Sequence, residues 1–264
     1  MANRIPISDL DIPELKVYIH LTEAQLRSCE DVFIAETPTV IEGALNAGCV
    51  PISFLLDEDH ATGTATALLE RCPHVPAYVA KAELIQSLTG YALTRGVLCA
   101  MKRPKHPEVQ SILRSSRRVA VLDGIADPSN LGAIFRNAAA LGMDGILLTQ
   151  NCVDPLYRRA VRVSMGTVFM IPWARMHANW MSELKTEGFK LAAMALSNQS
   201  VSVCDSTLKH TERLAIVLGN EGKGLSSDVI EQCDYTVMIP MHHGVDSLNV
   251  AAASAIAFWE MRKE

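Results

Sequence analysis

Apolar and polar positions follow two periodicities along the chain, which predicts strands alternating with helices. In the first hundred residues, apolar runs at 32–35, 52–56 and 96–101 predict strands. Helical spacing at 39–47 predicts a helix between the first two strands, and helical spacing near 81–88 predicts another before the third. These elements predict a small N-terminal α/β sandwich.

The alternation becomes more regular after residue 118. Six apolar runs predict strands, at 119–122, 145–148, 168–171, 191–196, 214–218 and 235–239. Continuous apolar strands with helices between most of them predict a mostly parallel sheet that is covered on both faces. Ligands of such sheets bind beyond the carboxyl ends of the strands, so the informative loops follow Leu122, Leu196, Leu218 and Ile239.

A polar segment separates the two patterns. The stretch "MKRPKHPEVQSIL" carries two prolines, several charges and no sustained periodicity, which is typical of a linker. We therefore predict an N-terminal domain at 1–101, a linker at 102–117 and a C-terminal domain at 118–264.

Composition places the chain among ordinary globular proteins. Of its 264 residues, 49% are hydrophobic and 20% are charged. No apolar run approaches the ~20 residues that cross a bilayer, and the N-terminal stretch has no apolar signal segment, so we expect a cytoplasmic protein. Seven cysteines without C-x-x-C spacing indicate reduced thiols, and we predict no metal site.

The formal net charge of −5 argues against a general nucleic-acid coat. Basic residues nevertheless form three local clusters, each of which is either a solvated surface or a contact for a phosphate-bearing partner. The clusters are Lys102, Arg103, Lys105 and His106; Arg114, Arg117 and Arg118; and Arg158, Arg159 and Arg162.

The first informative loop lies in "LDGIADPSNLGAIFRNAAALG". A strand ends, Asp127 and Pro128 turn the chain, and Ser129 or Asn130 is the expected cap of a helix. Arg136 lies off the apolar stripe of that helix and would lean back over the preceding turn, towards the loop. It is either an arginine that faces a ligand or an ordinary surface arginine.

The second loop lies in "LAIVLGNEGKGLS". A strand runs into a loop with Gly219, Gly222 and Gly224, where backbone groups can come close to a small ligand. The spacing matches neither the phosphate-binding loop nor the dinucleotide fingerprint. The loop is therefore a ligand loop of another kind, or a turn.

The third segment is "IPMHHGVDSLNVAAASAIAFWE". Pro240 ends a strand, Gly244 permits a sharp turn, and Ser247 is the expected cap of the final helix. The many alanines of that helix would let another backbone pass close by, or they simply fill a crowded core. His242 and His243 have no ligand partners in the sequence and are expected at the surface.

Together the three loops resemble the SpoU, or TrmH-like, branch of the SPOUT RNA methyltransferases. "DPSNLGAIFR" resembles the first motif of that family, "LGNEGKGLS" the second, and "IPMHHGVDSLNVAAASAIAFW" the third, in the same order. "AVRVSMGTVFMIPW" is a further family-like segment. The first hundred residues resemble, more loosely, the ribosomal-protein-like substrate-binding domain of many members.

The resemblance implies a SPOUT-type parallel-sheet domain with a C-terminal trefoil knot and a smaller N-terminal α/β RNA-binding domain. It implies S-adenosylmethionine as cofactor, RNA as substrate and a homodimer formed through the knotted domain. Carried over by motif position, the cofactor-binding residues are Gly219, Ile239 and Leu248, with Leu218, Ala195, Leu196 and Ser197 beside them. The functional polar positions are Asn130, Arg136, Glu221, Ser247 and Asn249. We also predict that the basic residues flanking the linker contact RNA, namely Lys102, Arg103, Lys105, Arg117 and Arg118.

The implied reaction methylates a ribose 2′-hydroxyl, with large-subunit ribosomal RNA favoured and transfer RNA second. Three alternatives remain. One is an RNA-binding ribosome-assembly factor without activity, and another is a SPOUT enzyme that methylates a base. The third, a nucleotide-dependent oxidoreductase or NTPase, is disfavoured by the missing phosphate-binding spacings.

Overall fold

The computed structural model describes residues 3–9, 12–19, 31–61, 63–90, 93, 96–197 and 200–263. The chain divides into two compact units. The N-terminal unit comprises Met1–Lys105 and Leu156–Phe169, and the C-terminal unit comprises His106–Pro155 and Met170–Glu264. The N-terminal unit thus includes a stretch that the sequence assigns to the C-terminal domain, and the domain limits stay a prediction.

Strands and helices alternate along most of the chain. The strands are β1 (Arg4–Pro6), β2 (Val32–Glu36), β3 (Pro51–Asp57), β4 (Ala77–Ala80), β5 (Val97–Lys102), β6 (Arg118–Leu122), β7 (Gly145–Leu148), β8 (Trp173–Arg175), β9 (Lys190–Met194), β10 (Val201–Ser202), β11 (Leu214–Leu218) and β12 (Tyr235–Met238). The α-helices are α1 (Pro38–Asn46), α2 (Thr64–Arg71), α3 (Ala82–Thr89), α4 (Val109–Ser115), α5 (Pro128–Ala140), α6 (Arg158–Val163), α7 (Trp180–Thr186), α8 (Ser206–His210), α9 (Ser227–Gln232) and α10 (Val250–Met261). Short 3-10 helices span Pro13–Tyr18 and Thr167–Phe169.

The N-terminal unit is built on a mixed five-stranded sheet in the order β1-β4-β3-β5-β2. Strands β1, β4 and β3 pair in parallel, whereas β5 pairs antiparallel with β3 and β2. Tyr18 pins the first 3-10 helix to this sheet, because its buried hydroxyl donates to the Ser53 carbonyl at 2.8 Å and accepts from the Ala100 N–H at 3.2 Å. The predicted α/β organisation is therefore present, with β1 and β4 added.

The C-terminal unit is built on a seven-stranded sheet in the order β10-β12-β9-β11-β6-β7-β8. Every paired strand in it runs parallel to its neighbour. Strands β6, β7 and β11 are buried at every position, which explains their continuous apolar sequence. The predicted parallel sheet is confirmed, and the carboxyl ends of β9, β11 and β12 lie side by side.

Two predictions about local structure are wrong. The apolar run at 168–171 is no strand: Val168 is buried in the 3-10 helix Thr167–Phe169, and the strand follows as β8. Short apolar runs are ambiguous between these structures. The segment predicted as a linker contains helix α4, whose Val109, Ile112 and Leu113 are buried in the core of the C-terminal unit.

The alanine-rich helix α10 packs along α5. The Asn137 side chain of α5 donates to the Ala251 carbonyl at 2.8 Å and to the Ser254 hydroxyl at 2.9 Å. Ser254 is fully buried, as is Phe258 one turn further along. Small side chains on α10 bring the two helices close enough for these direct contacts, so the two family-like segments that contain them are held together.

Among the residues described, no helix is both long and apolar enough to cross a membrane.

Candidate functional site

A cavity of about 470 Å³ lies at the carboxyl ends of β9, β11 and β12. Three separate stretches line it, at 194–196, 218–225 and 237–250. Of the predicted cofactor-binding residues, it is lined by Ala195, Leu196, Leu218, Gly219, Ile239 and Leu248. The structure therefore brings together segments that the sequence predicted to converge.

Gly219 is required by the close return of its own loop. A Cβ at this position would lie 2.5 Å from the Gly224 carbonyl carbon and 2.6 Å from the Leu225 nitrogen. The loop closes because the Gly224 N–H donates to the Asn220 carbonyl at 2.8 Å. These are rigid backbone atoms, so residue 219 must lack a side chain if the loop is to keep its shape.

Asn220 shapes the same loop and was missed by sequence reasoning. Its Oδ1 accepts from the N–H groups of Gly222 at 2.9 Å and Lys223 at 3.0 Å. Its Nδ2 donates to the Gly124 carbonyl at 2.8 Å, in the loop that follows β6. An asparagine two positions before a glycine is a signal for such a turn, and it would have identified Asn220.

Glu221 joins the second motif to the start of α5. Its carboxylate accepts from the N–H groups of Ala126 and Asp127 and from the Asn130 side chain, each at 3.1 Å. Asn130 Oδ1 in turn accepts from Asn249 Nδ2 at 3.0 Å. One chain of hydrogen bonds therefore connects residues of all three motifs.

The environment of Glu221 keeps it ionised. Partial burial alone would raise the pKa of its carboxyl group. The hydrogen bonds from Ala126, Asn130 and Asp127 outweigh burial, so the pKa lies below its usual value. An ionised carboxylate only accepts hydrogen bonds, which fixes the amide of Asn130 with its nitrogen towards Glu221 and its oxygen towards Asn249.

Two predicted helix caps are wrong by two or three positions. The cap of α5 is Asp127, whose carboxylate accepts from the Ser129 N–H at 2.6 Å, rather than Ser129 or Asn130. The cap of α10 is Asn249, which accepts from the Ala251 N–H at 2.8 Å, rather than Ser247. Asn130 and Asn249 thus both belong to the hydrogen-bond network, and Ser247 and Asn249 line the cavity.

The remaining polar candidates lie outside this network. Arg136 is exposed on α5 and does not line the cavity, and its side chain makes no hydrogen bond or ion pair with any residue that the structure describes. Ser197 is exposed, and its N–H donates to the Ser200 hydroxyl at 2.8 Å, outside the cavity lining. Their proposed roles stay predictions.

The predicted RNA-contacting residues differ in exposure. Lys102 and Lys105 are exposed and Arg103 is half-buried in the N-terminal unit, and Arg117 is exposed in the C-terminal unit. Arg118, in contrast, is 1% exposed.

Arg118 is committed to the interior of the C-terminal unit. Its guanidinium donates to the carbonyls of Met261 at 2.8 Å, Lys209 at 2.9 Å and Glu212 at 3.1 Å. Met261 ends α10 and Lys209 lies in the last turn of α8, so the cation faces the negative ends of two helices. Burial lowers the pKa of this arginine, although Asp144 opposes the shift. Arg118 is therefore removed from the predicted RNA surface.

The third basic cluster is also partly internal. Glu36 is 2% exposed and pairs with Arg158 at 2.9 Å and Arg162 at 3.7 Å, all within the N-terminal unit. These two arginines anchor α6 to β2, and Arg159 remains exposed.

No group of three metal-ligating side chains occurs in the part of the chain that the structure describes.

Comparison with known proteins identifies the family. The model of the SpoU rRNA Methylase family matches residues 117–259, more than half of the chain. The chain belongs to the SpoU rRNA methylase family. Membership places it among the RNA methyltransferases of the SpoU and TrmH type.

Two relatives illustrate the range of similarity within this family. An uncharacterised tRNA/rRNA methyltransferase of Mycobacterium bovis is 45% identical over 268 residues, covering 96% of this chain and 90% of the relative. The 23S rRNA (guanosine(2553)-2'-O)-methyltransferase RlmP of Bacillus subtilis is 33% identical over 151 residues, covering 57% of this chain and 60% of RlmP.

A solved structure confirms the α/β fold of a SpoU methyltransferase. The crystal structure of an AdoMet-bound rRNA methyltransferase from Sinorhizobium meliloti superposes with a TM-score of 0.84 at 25% identity, covering 99% of this chain and 98% of that one. The parallel-sheet core described above is shared with that protein.

Proposed function

We propose that the chain is an S-adenosylmethionine-dependent methyltransferase that acts on a ribose 2′-hydroxyl of large-subunit ribosomal RNA. The observation that carries the proposal is a cavity at the carboxyl ends of three parallel strands, lined by the second and third motif segments and by the loop after β9. Asn130 of the first motif is joined to these segments by its hydrogen bonds with Glu221 and Asn249. The partial similarity to RlmP supports the choice of a ribose in ribosomal RNA.

The cavity suits S-adenosylmethionine in size and lining. Its volume of about 470 Å³ lies within the range of ~300–1,000 Å³ typical of small-molecule sites. Leu218 and Val237 provide buried apolar surface for a ring. The AdoMet-bound relative from Sinorhizobium meliloti supports the same cofactor. When bound, this cofactor supplies an electrophilic methyl group on a cationic sulfur.

We assign Arg136 to the substrate rather than to proton removal. A guanidinium has a pKa above ~12 and holds its proton firmly, so it is a poor base. It is well suited to pair with a substrate phosphate in two parallel hydrogen bonds and to stabilise the developing alkoxide. Because Arg136 is exposed and has no partner among the described residues, it is available for that contact.

The proposed dimer rests on helix α10. This helix is apolar at most positions, with Phe258 and Met261 buried on one side. Ala252 and Trp259 lie two turns apart on the other side, and Trp259 is 53% exposed. We propose that this second face packs against another copy of the chain. Sedimentation velocity should show a dimer that Trp259→Glu dissociates, and a wild-type monomer at micromolar concentration would exclude it.

The C-terminal knot is also a proposal. Strands β11 and β12 come late in the chain, yet each lies between other strands in the sheet, which is consistent with a segment that threads a loop. Tracing the backbone in an experimental density map would decide it.

The experiment that tests the function uses ribosomal and transfer RNA from cells that lack the gene. The purified protein and S-adenosylmethionine are added, and the RNA is digested to nucleosides for mass spectrometry. We expect a 2′-O-methylated nucleoside from large-subunit RNA. A methylated base would exclude methylation of the ribose. Methylation of transfer RNA alone would show that transfer RNA, not ribosomal RNA, is the substrate. Absence of methyl transfer to either RNA would favour an assembly factor.

Arg136→Lys refines the test, because lysine keeps the charge but loses the planar fork. We expect turnover to fall by about tenfold or more while cofactor affinity stays unchanged. A turnover rate in this variant close to that of the wild type would exclude bidentate recognition of the phosphate.

A further inference from the structure

Three of the residues that line the cavity carry a charge: Glu221, Lys223 and Asp246. They come from two of the three motif segments and lie at exposed positions. The buried part of the lining is apolar, with Leu218 and Val237 at 1% and 0% exposure. The buried part of the lining is therefore apolar, and all three charges lie where the cavity meets solvent.

The three charges differ in what they already contact. Glu221 is occupied by the hydrogen bonds that hold the motif segments together. The side chains of Lys223 and Asp246 make no hydrogen bond or ion pair with any other residue in the described part of the chain. One positive and one negative group are thus free to contact a ligand.

We propose that Lys223 and Asp246 form a charge clamp for the amino-acid end of the cofactor, in which Lys223 binds the carboxylate and Asp246 binds the α-ammonium group. This inference rests on the proposed function, because it takes S-adenosylmethionine as the ligand. A methionine end carries both charges at once, and a pair of opposite, unpaired side chains at one cavity mouth is complementary to that zwitterion.

No ion pair joins Lys223 to Asp246 in the described part of the chain, so the two charges do not neutralise each other. Each charge then gains a partner only when the ligand arrives. Because both groups are partly exposed, solvent screens the interaction, and we expect each to contribute about five- to tenfold in affinity.

Two ligands, used as probes, distinguish binding by the charge clamp from binding by the rest of the cavity. S-adenosylhomocysteine contains adenosine and the zwitterionic amino-acid end, whereas 5′-methylthioadenosine contains the nucleoside and lacks that end. Isothermal titration calorimetry is performed with the wild type, Lys223→Met and Asp246→Asn. Methionine keeps most of the lysine stem, and asparagine keeps the shape of aspartate, so each variant removes a charge with little change in packing.

We expect both variants to bind S-adenosylhomocysteine about five- to tenfold more weakly, while 5′-methylthioadenosine binds all three proteins within about twofold. Lys263→Met and Glu231→Gln are matched controls that change the same charges at exposed positions outside the cavity lining. Both controls should bind both probes like the wild type.

The outcomes distinguish the clamp from the proposed function. If the wild type binds neither probe, the proposed cofactor is wrong, and the charge clamp is refuted together with it. If the wild type binds both but the variants bind S-adenosylhomocysteine normally, or lose both probes equally, the clamp alone is refuted. Weaker binding of RNA by Lys223→Met with unchanged binding of S-adenosylhomocysteine would likewise refute it, by assigning Lys223 to a substrate phosphate.

Discussion

Substitution of Glu221 by glutamine tests the hydrogen-bond chain that joins the three motifs. The glutamine side chain has the same shape, but one carboxylate oxygen becomes an NH₂ group. Oε1 accepts from the Asp127 N–H and the Asn130 side chain, and Oε2 accepts from the Ala126 N–H and, at 3.4 Å, from the Asn220 side chain. Whichever way the new amide turns, its NH₂ group therefore faces donors.

A flip of Asn130 cannot relieve this mismatch. Turning its amide would place its nitrogen against the nitrogen of Asn249. Turning Asn249 as well would remove the oxygen that accepts from the Ala251 N–H, and α10 would lose its cap. The direction of donation along this hydrogen-bond network is thus set at one end by the Glu221 carboxylate and at the other by the N-terminus of α10.

The magnitude follows from the contacts. Glu221→Gln sets two donors against an NH₂ group, and each lost hydrogen bond in a solvent-exposed network costs about 0.5–1 kcal/mol. We expect the free energy of unfolding at pH 7 to fall by about 1–2 kcal/mol. Affinity for S-adenosylhomocysteine should fall by about tenfold, since the loop at 218–225 and Asn249 both line the cavity.

The pH dependence provides a sharper test. The pKa of Glu221 is lower in the folded state than in the unfolded state. Its stabilising effect is therefore fully present above the unfolded-state pKa of about 4.3 and is lost as pH falls through the folded-state pKa. Denaturant unfolding of the wild type and variant should differ at pH 7 and converge at low pH.

Glu231→Gln is the control for this comparison, because it alters an exposed glutamate of α9 that lies outside the cavity lining. Equal stability of wild type and Glu221→Gln at pH 7, or a difference that persists unchanged below pH 4, would refute the argument.

Two further substitutions test features of the C-terminal unit. Gly219→Ala should weaken S-adenosylhomocysteine binding by at least about tenfold in calorimetry, because its Cβ would lie 2.5 Å from backbone atoms. Gly222→Ala is the control and should be tolerated, because the nearest atom to its Cβ would lie at 3.6 Å. Equal losses of affinity in these two variants would show that the close return of the loop at Gly219 does not determine binding. Arg118→Met should lower the free energy of unfolding, measured in urea, by about 3–5 kcal/mol, because four backbone carbonyls lose their hydrogen-bond donor. Its neighbour serves as the comparison: Arg117→Ala should lower RNA affinity with little change in stability. A stable Arg118→Met protein with reduced RNA binding would restore Arg118 to the RNA surface.

The sequence was sufficient to predict the parallel sheet and three of the loops that line the cavity. Strands β6, β7 and β11 are buried on both faces, so their residues are apolar without interruption, and that pattern is visible without coordinates. The rule that ligands bind beyond the carboxyl ends of such strands then selects the loops after β6, β9, β11 and β12, and residues of the last three line the cavity. Short elements gave no comparable signal: β10 has two residues and β8 has three.

The hydrogen-bond network could not be derived in this way. Glu221 and Asn130 are 91 residues apart and Asn130 and Asn249 are 119 apart, so their contact depends on the register of the sheet and the packing of α10 on α5. Charge alone also fails to separate Arg117 from Arg118. Neighbours along a strand point in opposite directions, and only the three-dimensional structure shows which of them meets the ends of two helices.

The arrangement around Arg118 has a consequence for biosynthesis. Met261, which accepts from its guanidinium, is translated 143 residues later. Until α10 has left the ribosome, the Nε–H of this guanidinium lacks its acceptor and must remain hydrated, which opposes closure of the central sheet around β6. The C-terminal unit should therefore reach its native state only after α10 is made.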